Sequence, residues 1–116
     1  MTRVAFKEAT VRPINQVAGE LQEVLGQRLV AYAAGVRSPK LVGRWATGEH
    51  EPREDAMKRL RELYEAVLTL REHYGAETIR AFMVGANPNL EDCAPIDVVR
   101  DGRGIDVVRA AEAFLN

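Results

Sequence analysis

The sequence predicts an all-α protein, on three observations. Between residues 14 and 25, Ile14, Val17, Ala18, Leu21, Val24 and Leu25 fall at i, i+3, i+4, i+7, i+10 and i+11, one apolar stripe at helical period. Prolines stand where helices start (Pro13, Pro39, Pro52, Pro95), and glycines stand where they stop (Gly26, Gly35, Gly48, Gly75). Apolar residues make up 47% of the chain but aromatics only 6%, so the core must be built from Ala, Val and Leu, which suits packed helices. A length of 116 residues allows one domain or two small modules sharing a core.

Residues 1–12 carry no clear period. Val4 and Phe6 alternate with charge, which fits a short strand or a loose arm; Arg3, Lys7 and Arg12 are within reach of phosphate but read more simply as a solvated tail. Pro13 opens the first helix and Gly26 ends it.

The stretch 27–52, QRLVAYAAGVRSPKLVGRWATGEHEP, organises the rest. Its first helix is Gln27 to Ala34. Gly35 supplies a left-handed bend, Ser38 is an N-cap, and Pro39 takes the first helical position, where a missing N–H costs nothing. The second helix runs past Val42 and Trp45 to Gly48, so Leu29, Val30, Ala33, Val36, Val42 and Trp45 can share one small core. This is helix-turn-helix spacing, in which the second helix can enter a DNA major groove. Arg37 and Arg44 are the candidate phosphate contacts and Lys40 the candidate base contact. Ser38 lies at the same helix start, and Pro39 and Leu41 offer only apolar contact, so base readout is sparse. The net charge of -1 is low for a nucleic-acid protein, and DNA binding would need a dimer to double the local basic patch.

Pro52 starts the longest helix, Arg53 to about Tyr74, with Met57, Leu60, Leu63, Tyr64, Val67, Leu68 and Leu70 on a wide apolar face and a possible Arg61–Glu65 pair at i, i+4. Gly75 is expected to stop it. A shorter helix spans Glu77 to Val84. Gly85-Ala86-Asn87-Pro88-Asn89 is a break, with Leu90 tucked beneath it. Pro95 to about Arg100 forms a short helix with Asp97 in its first turn, suited to the helix dipole. Asp101-Gly102-Arg103-Gly104 interrupts, and a last helix runs from Ile105 to Phe114. The repeated IDVVR at 96–100 and 105–109 is too short and too rare for a repeat architecture. The last helix carries two apolar stripes, Ile105/Val108/Leu115 and Val107/Ala111/Phe114. Either it is sunk in a bundle or one stripe meets another chain, and the second reading suits so small a protein better.

Gln27, the Ala34-Gly35-Val36 turn, Arg44-Trp45 and the Gly48…Pro52 exit resemble the Xre (lambda-repressor-like) helix-turn-helix family over roughly residues 14–75. Phe82, Asn87-Pro88-Asn89-Leu90, Pro95-Ile96-Asp97-Val98-Val99, Asp101-Gly102-Arg103-Gly104 and the closing helix resemble the toxin-binding domain of the Xre/MbcA/ParS antitoxins. That pattern usually has Trp-Leu-x-x-Pro-Asn-Pro ahead of the loop; this chain has Phe82-Met83 and lacks the first proline. The resemblance implies an N-terminal Xre-like helix-turn-helix bundle (1–75) followed by a small helical toxin-binding domain (76–116). It implies a type II antitoxin, commonly a homodimer within a larger complex. Its partners would be a RES-domain, NAD-consuming toxin encoded by the neighbouring gene, and promoter DNA. On this reading Phe114, Leu115 and Asn116 cover the toxin's cleft, framed by Arg100, Arg103 and Arg109. The alternative is a stand-alone Xre-type repressor without a toxin.

No enzymatic activity, cofactor or metal site is expected. His50 and His73 are far apart, Cys93 has no nearby His, Asp97 and Asp101 are explained as helix-start acid and turn former, and Gly102-Arg103-Gly104 is too short a phosphate cradle. No apolar run approaches the roughly 20 residues of a membrane span, and the N-terminus does not read as a signal peptide. A single cysteine permits no internal disulfide, so the cytoplasm is the expected compartment.

Overall fold

Helix α5 (Glu54–Arg71) is the spine of the molecule. Every residue from Leu63 to Leu70 is buried, so this segment is wrapped on all sides rather than along one stripe. The computed structural model describes residues 2–116, with side chains from residue 4 onward. Among these the chain is all-helical: α1 (Thr2–Val11), α2 (Ile14–Leu25), α3 (Gln27–Ala34), α4 (Pro39–Thr47), α5, α6 (Ala76–Val84), a 3-10 turn at Pro88–Leu90, α7 (Pro95–Arg100) and α8 (Gly104–Leu115). Helices α1, α2 and α3 pack on α5 from the N-terminal half, and α8 packs on it from the C-terminal half. One contiguous buried apolar cluster runs through both halves.

Three expectations are corrected. Residues 2–11 are neither strand nor loose arm but a helix. Ala5 and Ala9, one turn apart, are buried, while the bulkier Val4, Phe6 and Val11 stay exposed. Alanines are weak hydrophobic signals, so the packed face was the inconspicuous one. Arg12 is not a tail cation: it bonds Glu8 and Glu20, both at 2.7 Å, and the Tyr64 hydroxyl at 2.9 Å. The Arg3 side chain lies outside the described residues.

Arg61 does not pair with Glu65. Its Nη1 donates to the Ala9 and Arg12 carbonyls, both at 2.9 Å, where the end of α1 presents unsatisfied acceptors. Glu65 is instead buried. The third correction is the end of α5. The helix stops at Arg71, and the His73 and Tyr74 N–H groups both donate to the Leu70 carbonyl, closing it with a turn. Gly75, in an extended conformation, precedes α6 rather than terminating α5.

The helix-turn-helix forms as its punctuation dictates. Gly35 and Gly48 close α3 and α4 in the left-handed region, at φ 84° and 80°, where a side chain would be strained. Ser38 has extended N-cap geometry, although its hydroxyl makes no capping bond. In the C-terminal half, the Asn87 side chain accepts from the Asn89 N–H at 2.9 Å and holds the turn over Leu90, which is buried. Val107, Val108, Ala110 and Ala111 bury α8, so members of both its stripes are consumed inside the chain; Ile105 and Phe114 remain exposed.

Candidate functional site

Helix α4 divides cleanly. Val42 and Trp45 are buried, and Lys40, Arg44 and Thr47 project outward at i, i+4 and i+7. Arg37 and Ser38 are exposed at its entry. Pro39 and Leu41 are half-buried, Leu41 because it packs against the core, which lessens what it can offer a thymine methyl. The charges on this face have a distinctive status. Most cations elsewhere are engaged: Arg12, Lys58, Arg59, Arg71, Arg103 and Arg109 with carboxylates, and Arg61, Arg80 and Arg100 with backbone carbonyls. Among the described residues, Arg28, Arg37, Lys40 and Arg44 have neither partner; the others without one, Lys7 on α1 and Arg53 at the entry to α5, stand apart from this face in sequence. Unpaired cations gathered on one helix-turn-helix are what phosphate contacts require. Glu49, Glu51, Glu54 and Asp55 are exposed and follow α4 in the chain.

The second candidate surface is the free end of α8. Phe114 is 46% exposed, yet its ring meets Tyr74 at 5.3 Å and Phe82 at 5.2 Å between centroids. This aromatic group borders an open hollow of about 320 Å³ formed with Ala81 and the 85–88 turn. The side of an aromatic residue is thus anchored while much of its surface stays available, the usual form of an interface anchor. Leu115 packs partly on the core and Asn116 is exposed. Arg103 and Arg109 share a separate hollow of about 410 Å³ beside Leu90, with Asp106 between them at 3.3 and 3.7 Å.

Arg100 does not join this group. Its Nη1 donates to the Tyr32 carbonyl at 2.7 Å and its guanidinium lies 4.6 Å over the Tyr32 ring, against the helix-turn-helix. The Tyr32 hydroxyl in turn donates to Asp97, which raises the tyrosine's pKa, with burial adding to the effect. Asp97 therefore links α7 to α3, a role beyond the helix-dipole one that its position suggested. Tyr32 and Tyr74 carry contacts that no local spacing marks: Tyr32 meets Asp97 and Arg100, and Tyr74 meets Phe114, in the other half of the chain or at its end.

Cys93 is exposed, its Sγ 3.9 Å from the Glu91 carbonyl, and Asp97 is engaged by Tyr32. Among the described residues no three His, Cys, Asp or Glu side chains converge as a metal-holding group, and no helix is long and apolar enough to cross a membrane.

Fold and surfaces together define a helix-turn-helix protein with a helical C-terminal extension packed on the same spine. No protein-family model and no curated protein matches the chain. Among solved structures it is similar to a chain of the M. tuberculosis MbcT–MbcA toxin–antitoxin complex, with a TM-score of 0.74 and 28% identity, over 89% of this chain and 94% of that one. The resemblance to the Xre/MbcA/ParS-type antitoxins therefore extends from motifs to the three-dimensional fold, which is that of the MbcA antitoxin.

Proposed function

We propose that this protein is a type II antitoxin that neutralises a RES-domain, NAD-consuming toxin by covering its active-site cleft, and that it represses its own operon through the helix-turn-helix. The similarity to the MbcT–MbcA complex across nearly the whole chain carries the reading. It includes the C-terminal extension, which a DNA-binding bundle alone does not need. The division of labour follows the two surfaces. Residues 1–75 meet promoter DNA through Arg37, Ser38, Pro39, Lys40, Leu41 and Arg44, and a homodimer presents two copies to a palindromic site. Residues 76–116 meet the toxin, with Phe114, Leu115 and Asn116 at the cleft and Arg103 and Arg109 beside it. Inhibition is then steric and needs no chemistry from the antitoxin. The complex belongs in the cytoplasm, where the lone Cys93 stays reduced.

The test is co-expression with the neighbouring RES-domain reading frame. Removing all of α8 would also strip Val107, Val108, Ala110 and Ala111 from the core, so a point substitution is cleaner. Phe114→Ala should weaken toxin binding by about 2 kcal/mol, roughly 30-fold, and impair growth rescue, while the melting transition stays cooperative. Full rescue and unchanged affinity would remove Phe114 from the interface. Absence of any toxin gene beside this one would favour the stand-alone repressor.

A further inference from the structure

We propose that the DNA-binding surface continues past the helix-turn-helix onto the C-terminal half, where Arg28, Arg37 and Arg100 form a seat for a phosphate of the duplex backbone. This rests on the DNA-binding reading above and extends it to a residue of α7. The three arginines line one open hollow of about 280 Å³ with Ala31, Tyr32 and Pro39. They come from three separate elements: Arg28 from α3, Arg37 from the turn, Arg100 from α7. Neither Arg28 nor Arg37 has a carboxylate or carbonyl partner among the described residues, so gathering them raises the local potential. The start of α4 at Pro39 borders the same hollow and adds the positive end of its dipole.

The geometry also says which part of a nucleic acid fits. The Arg100 guanidinium lies over the Tyr32 ring, so a base stacking on that face would have to displace it. Arg100 commits one N–H to the Tyr32 carbonyl, which fixes the plane of the fork and leaves its other donors for an oxygen ligand. The acids on α7 temper the site without cancelling it. Asp97 accepts from the Tyr32 hydroxyl, and Asp101 is exposed at the end of the helix, two carboxylates against three guanidinium groups. Lys40, one residue beyond Pro39, places the seat beside the helix expected to enter the groove.

The experiment compares the full-length wild type with Arg28→Ala, Arg100→Gln and Lys40→Ala for binding to a promoter duplex and a scrambled duplex over a salt series, with toxin binding and thermal melts in parallel. Arg28→Ala and Arg100→Gln should each reduce the slope of log affinity against log salt by about 1 and weaken both duplexes to a similar extent, about 5-fold, with toxin binding retained. An unchanged slope in folded Arg28→Ala overturns the proposal; that variant breaks no bond within the chain, so it decides even if Arg100→Gln melts early. Loss of toxin binding by Arg100→Gln at an unchanged DNA slope also overturns it and makes Arg100 a toxin contact. If Lys40→Ala weakens promoter binding and the arginine variants do not, the seat alone fails. If the wild type binds neither duplex, the DNA-binding reading fails with it.

Discussion

Glu20 receives four donors in the space between α2 and α5. Arg12 and Gln16 reach one carboxylate oxygen at 2.7 and 3.1 Å; Tyr64 and Arg71 reach the other, both at 2.8 Å. Burial pushes its pKa up, but hydrogen bonds from Arg71, Tyr64 and Gln16 and the charge of Arg12 outweigh it and hold the group at about 2. The same contact, with burial foremost, pushes Tyr64 up to about 12. A carboxylate with a lowered folded pKa stabilises the fold above its unfolded value and loses that contribution as pH falls through the folded one. For Glu20 the window runs from 4.5 down to about 2. Glu20→Gln should therefore cost about 2 kcal/mol at pH 7, because Arg12 and Arg71 lose their shared anion, and should flatten the loss of stability across that window in urea titrations. Glu65 has the opposite sign: burial first, then Glu112 and Glu62, raise its pKa, so its contribution is fully present in acid and is lost as pH rises. Neither effect was legible beforehand. The stripe 14–25 showed where α2 buries, but not that Tyr64, 44 residues on, would place its hydroxyl on Glu20.

The join between α8 and α5 is the closest approach of two helices that the glycines reveal. A Cβ built on Gly104 would stand 2.6 Å from the Glu62 Cβ, and that atom sits at the root of its side chain and cannot swing away. Gly104→Ala should thus push α8 off the spine and destabilise the protein by about 1–3 kcal/mol, measured by chemical denaturation; a neutral result would mean that α8 docks more loosely than its buried valines imply. Helix positions were readable at this scale because punctuation is local. A proline start or a glycine stop constrains φ without reference to anything distant, and α2, α3, α4 and α7 fell close to where those residues put them. Helix α1 was not readable because its packed residues are Ala5 and Ala9, whose burial is decided by α5. The two stripes of α8 exceed in sequence what one core needs; in the fold the valines and alanines of both go inward, and only Ile105 and Phe114 keep an open face.

The two proposed binding surfaces share one apolar core but no side chains, so their functions should separate. Lys40→Ala with Arg44→Ala should abolish most promoter binding in a gel shift and leave toxin affinity within about 2-fold; Phe114→Ala should do the reverse, since distant sites with no common partner act additively. A double defect from either change would mean that α5 transmits strain between the halves. By itself the sequence determined the helical class, the turn at Gly35, the basic entry to α4 and the motif order that points to an antitoxin, because each depends on neighbours a few positions apart. Beyond i, i+3 and i, i+4 pairs such as Lys58–Glu62 and Arg103–Asp106, the tertiary structure decided which charges are free and which are spent. It took Arg12 and Arg61 into the seam between α1 and α5, carried Arg100 to Tyr32 and left Arg28, Arg37, Lys40 and Arg44 unpaired. The reason is that a charge finds its partner through space across α5, and no local spacing encodes a contact made forty or fifty residues away.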